Sequence, residues 1–67
     1  MTDKYTYRIE WSDEDESYIG RCLEFPLLSS QEKTQEVALK EIRAVVEATV
    51  KWMKEEGEDL PEPLGTQ

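Results

Sequence analysis

Apolar residues return every three or four positions through the stretch 33–57, KTQEVALKEIRAVVEATVKWMKEEG. At about 100° per residue, Ala38, Leu39, Ile42, Val45, Val46, Thr49, Val50, Trp52 and Met53 share an arc of roughly 160°. Lys40, Arg43, Glu47, Lys51 and Lys54 lie on the opposite side. Thr34 is placed to act as the N-cap, its hydroxyl accepting from a free amide of the first turn, and Glu36 suits the positive end of the helix dipole. Gly57 supplies the left-handed residue on which many helices end, and Pro61 prevents a restart. The pattern predicts one amphipathic helix over 35–56, about six turns long, with a broad face to bury against a sheet.

Upstream the period changes to two. Tyr5, Tyr7, Ile9 and Trp11 alternate with Thr6, Arg8 and Glu10, which predicts a strand over about 4–11 whose aromatic side faces the helix. The run SDEDES at 12–17 has nothing apolar and reads as an exposed hairpin loop. YIGRCLE then returns as a strand over about 17–24. Either facing is open there, and Tyr18, Gly20 and Cys22 inward is preferred, because Gly20 makes room for large rings from the first strand. Phe25 and Pro26 break that strand, and 27–31 forms a short third one. The expected architecture is a single α+β domain over 1–67, a two-layer sandwich of a three-stranded antiparallel sheet (β-β-β-α) on one long helix. The tail 58–67, EDLPEPLGTQ, either lies along the domain edge, with room for a short edge strand at the C-terminus, or stays disordered.

Charge narrows the partners. Sixteen acidic residues against eight basic ones give a formal net charge of −8 over 67 residues. Nucleic acid is disfavoured as a direct partner, since phosphate binding rests on Lys and Arg, whereas a basic protein would be attracted. A single cysteine allows no internal disulfide, so a reducing cytoplasm is the expected location. No stretch approaches the run of about 20 apolar residues that a membrane helix needs, and the N-terminus lacks the apolar core of a signal peptide.

Chemistry has few places to reside. Asp13, Glu14, Asp15 and Glu16 are adjacent and diverge, without the alternating ligands and turn glycine of a calcium loop, so a solvated turn is expected rather than a metal site. Cys22 would need an activating base to act as a nucleophile, and the chain has no histidine. It reads as a small buried hydrophobe. No catalytic residue, metal or cofactor is assigned.

The stretch 18–42, YIGRCLEFPLLSSQEKTQEVALKEI, with Glu56-Gly57 and Leu60-Pro61-Glu62-Pro63 after it, resembles the N-terminal domain of the HicB antitoxin family. In that family a tyrosine opens the second strand and a cysteine or valine follows. A Pro-Glu-Phe/Leu-Pro-Gly-like turn and a Gly-Asp-Thr pair then precede a helix beginning Glu-Glu-Ala-Leu, and a Gly…Pro-Glu-Pro exit closes the domain. Tyr18, Cys22, Glu24, Pro26, Thr34, Ala38, Leu39, Gly57, Pro61 and Pro63 stand at matching positions, and the likeness covers about residues 5–63. Leu23 and Leu27 depart from the turn's usual proline and glycine, Glu32 from the glycine before the cap, and Val37 from the glutamate that would complete a capping box. Many members continue into a DNA-binding domain, whereas this sequence runs only four residues past Pro63, so no direct contact with operator DNA is expected.

The resemblance implies an antitoxin that neutralises a HicA-type toxin, a small basic ribonuclease that cleaves mRNA, by covering its active site. Asp13, Glu14, Asp15, Glu16 and the turn residue Glu24 are the expected contacts to such a partner. A homodimer is also expected, because so small a core gains from association. One surface for it is the outer sheet face, carrying Ile19 and Leu23. The other is the back of the helix, where Val37, Ala44 and Ala48 fall on one line between Glu41 and Glu55. The alternatives are a stand-alone homo-oligomeric adaptor of the same fold without a toxin, and a hydrolase, since the fold has been likened to a reduced RNase H core. The hydrolase would need converging carboxylates, for which only Glu10 and Glu24 are available.

Overall fold

The computed structural model describes residues 2–65. After a single 3-10 turn at Thr2–Lys4, three strands, β1 (Tyr7–Ser12), β2 (Ser17–Cys22) and β3 (Phe25–Glu32), precede one helix, α1 (Gln35–Glu56). The strands pair antiparallel in the order β1-β2-β3, and α1 crosses one face of the sheet. This is the expected α+β arrangement, with the helix bounds as expected.

The caps work as the side chains require. Thr34 is extended at φ −129°, ψ 156°, and its Oγ1 accepts from the Val37 amide at 3.2 Å. At the other end Gly57 sits at φ 73°. The Glu58 amide donates to Met53 O and the Gly57 amide to Lys54 O, the paired bonds of a Schellman ending.

Burial fixes the facing of the strands. Tyr5, Cys22, Ile42, Val46 and Val50 form the buried core, with Tyr7, Ile9, Phe25, Leu28, Leu39 and Leu60 packed around it. Tyr5 and Phe25 meet edge to face at 5.5 Å between centroids. Gly20 and Cys22 are buried on the helix side, as preferred, but Gly20 serves a different neighbour from the one expected. A Cβ there would lie 2.8 Å from Ala38 O and 3.1 Å from Ile42 Cγ2, so the missing side chain admits the helix rather than rings from β1. The Ser30 hydroxyl uses the same close approach to donate to Ala38 O at 2.7 Å.

Four expectations need correction. β1 starts at Tyr7 rather than near residue 4, yet Tyr5 is buried from the connecting segment all the same. Trp11 does not enter the core: it lies at the sheet's end, 52% exposed, with its ring edge-on to Tyr18. Pro26 does not break the strand. Arg21 pairs with Ser29 but Cys22 with Phe25, so Pro26, Leu27 and Leu28 bulge out of β3 on the free edge of the sheet, where a residue without an N–H is tolerated. The buried face of the helix is narrower than its apolar arc: Val45 and Trp52 overhang the β3 edge and are 36% and 53% exposed, because three strands make a narrow floor.

The tail is held rather than loose, and residues 58–65 form no strand. Leu60 packs on the core, and the Tyr5 hydroxyl donates to Pro61 O at 3.0 Å. Residues 66–67 lie outside the described residues.

Candidate interaction surface

The acidic turn is a four-residue hairpin loop joining Ser12 to its partner Ser17. Glu16 takes the left-handed conformation at φ 50° that lets the chain reverse. All four carboxylates are exposed, but they are not equivalent. The Trp11 indole N–H donates to Asp13 Oδ1 at 2.6 Å, and the Ser12 hydroxyl donates to Asp15 Oδ2 at 3.2 Å while accepting from the Asp15 amide. Asp13 and Asp15 therefore shape the loop, and Glu14 and Glu16 project from it.

Glu24 has a different position from the one expected of a contact residue. Its carboxylate accepts from the Thr6 amide at 2.9 Å, the Thr6 hydroxyl at 3.1 Å and the Leu64 amide at 2.8 Å, with the Cys22 thiol at 3.5 Å. Burial by itself would raise its pKa, but the amides of Leu64 and Thr6, then its own amide and the Cys22 thiol, outweigh that and hold it below the ordinary value of 4.5. Glu24 is a clasp between the N-terminal segment, the β2–β3 turn and the tail, which leaves little of its charge for a partner. Cys22 beneath it is buried, and burial pushes its thiol up, away from the thiolate a nucleophile needs.

Glu10 and Glu24 do not converge. Glu10 is exposed on β1 with Arg8 3.9 Å away, while Glu24 is fastened in the turn beyond the far end of the β1–β2 ladder. Among the described residues no group of three or more His, Cys, Asp or Glu side chains is close enough to hold a metal ion. No helix there is long and apolar enough to cross a membrane.

The residues proposed for self-association occupy separate surfaces. Ile19 is half-buried on the sheet face away from α1, and Leu23 lies in the β2–β3 turn, 36% exposed. Val37, Ala44 and Ala48 are exposed on the outer side of the helix.

Sequence reasoning missed an apolar opening on the surface. Between the β3 bulge and the last turns of α1 lies a cleft of about 350 Å³ walled by Phe25, Pro26, Leu27 and Leu28 on one side and by Thr49, Trp52 and Met53 on the other. Leu27 is 96% exposed. The signal was present in two forms: a leucine beside a proline where a turn residue was expected, and a tryptophan at the margin of the helix arc. Comparison with known proteins gives no matching family model, no matching curated protein and no matching solved structure.

Proposed function

We propose that the protein works by binding rather than by chemistry, as an antitoxin-type cap on a small basic RNA-cleaving protein in the cytoplasm. The observation that carries this reading is the β-β-β-α order with its acidic hairpin. The resemblance demands that architecture, and the architecture leaves Glu14 and Glu16 projecting, while Asp13 and Asp15 are bonded within the loop and Glu24 is fastened to Thr6 and Leu64. An acidic, solvent-facing turn on a rigid hairpin suits a basic partner by attraction at a distance.

A pull-down from the host with this chain as bait, followed by an RNA-cleavage assay on what it retains, tests the proposal. A basic protein held in stoichiometric amount, whose cleavage of RNA stops when this chain is added back, is the expected result. A stoichiometric partner without ribonuclease activity, or none, overturns it. A second reading, a homo-oligomeric adaptor without a toxin, draws on the exposed line of Val37, Ala44 and Ala48, whose small side chains allow a second helix close approach. Sedimentation equilibrium distinguishes the two, since the adaptor requires self-association without any partner.

A further inference from the structure

The two flanks of α1 differ in chemistry. On the side over β1 stand Lys40, Arg43, Lys51 and Lys54. Arg43 pairs with Asp3 and stands over the Tyr7 ring, and Lys51 and Lys54 line a shallow groove with Thr2 and Glu47. On the side over β3 the helical period places Val45, Trp52 and Glu56, and no cation of the helix. Glu24 and Glu58 line the cleft that Trp52 walls, and Glu56 follows Trp52 by four residues on the same flank of the helix. The cleft is therefore an apolar notch with an acidic rim.

Leu27 gives the notch its prominence. The three-residue bulge in β3 turns this side chain outward to 96% exposure among the described residues. A half-exposed tryptophan and a fully exposed leucine bring apolar surface together at one place, and tryptophan is among the residues on which binding energy concentrates.

Charge selects what covers it. A second copy docked notch to notch would set Glu24, Glu56 and Glu58 against the same carboxylates of its partner, between chains of net charge −8 each. Anionic lipid and nucleic acid are repelled for the same reason. From this complementarity we infer that the notch between the β3 bulge and the C-terminal turns of α1 is the docking site for an aliphatic or aromatic anchor side chain flanked by Lys or Arg on a polypeptide partner. This rests on the reading that the chain binds a basic protein, and assigns that protein a second contact beyond the acidic hairpin.

The test uses three synthetic peptides sharing a central Leu-Trp pair, flanked by Lys/Arg, by Ser/Gly or by Glu, each titrated into the ¹⁵N-labelled full chain. The Lys/Arg peptide is expected to give saturable shifts at Leu27, Leu28, Met53 and the Trp52 indole while the Trp11 indole stays still. Leu27→Asp, at a position exposed enough to leave the fold intact, weakens that binding by about tenfold or more. Shifts confined to Trp11 and residues 13–16 overturn the docking site and leave the basic-partner reading standing. Equal binding of the Glu-flanked peptide at the notch overturns the charge selection and counts against that reading as well. No saturable shift with any peptide overturns the assignment, as does concentration-dependent dimerisation abolished by Leu27→Asp, which would give the notch to a second copy.

Discussion

A methyl group at position 20 would stand 2.8 Å from Ala38 O and 2.5 Å from Ser30 Oγ. The serine can rotate away, at the loss of its bond to the helix, but the carbonyl is backbone and cannot. Gly20→Ala in a strand ordinarily gains about 0.4–1 kcal/mol by restricting the unfolded chain. Here overpacking, typically 1–3 kcal/mol, outweighs it. Net destabilisation of about 1–2 kcal/mol is expected in urea unfolding, and Gly20→Ala/Ser30→Ala recovers only part, because Ala38 O remains. Glu24 is the other side chain on which the fold depends. Its folded pKa lies below 4.5, so the ionised form favours folding. That contribution is complete at pH values above the ordinary carboxylate range and disappears as pH falls through the lower folded value. Glu24→Gln, which keeps the shape and loses the charge, costs about 1–3 kcal/mol at neutral pH. The variant's stability relative to the native chain should converge as the medium is acidified. A penalty unchanged down to strong acid would mean that the carboxylate's charge is not what fastens Thr6 and Leu64.

The helix and hairpin owe their ends to local chemistry. Thr34→Ala removes the acceptor for the Val37 amide and is expected to cost about 1 kcal/mol. Gly57→Ala must place a Cβ at φ 73° and costs about 1–2 kcal/mol. The two sites are remote, so the double variant should show the sum of the single effects in thermal unfolding. These features were legible because a cap needs only its neighbours in sequence. Facing along β2 was legible in part: period two alone allowed either side, and the glycine broke the tie. The bulge in β3 was not legible, since Pro26 announces an interruption but cannot say whether the strand stops or swells around it. Nor was the exposure of Trp52, because an arc on a helical wheel shows how wide an apolar face is and not how wide a floor lies beneath it.

For the molecule entire, the decisive property is where charge stands once the chain is folded. The helix's cations gather over β1, several of them near acidic partners, while acidic groups face outward at the hairpin and around the β3 notch. Reversing the charges of Glu14 and Glu16, the two carboxylates that project from the loop, should slow association with a basic partner and flatten its dependence on salt, leaving dissociation nearly unchanged, as stopped-flow mixing at several ionic strengths would show. An unaltered on-rate would remove the hairpin from recognition and leave the notch as the remaining contact. The tail contributes to the same frame: Leu60, Pro61 and Leu64 bind back to the core, to Tyr5 and to Glu24, so the N- and C-terminal segments are tied to each other through the domain.

The sequence alone determined the class of the fold, the bounds of the helix, the acidic hairpin and the burial of Cys22. All of these follow from periodicity, caps and composition, which act between residues near in sequence. Tertiary structure decided that Glu24 is a clasp rather than a contact, that Gly20 admits the helix rather than an aromatic ring, and that Leu27 and Trp52 frame an open notch. Each of those depends on which atoms 18 to 40 residues apart meet, and on β3 being the edge strand of the sheet among the described residues.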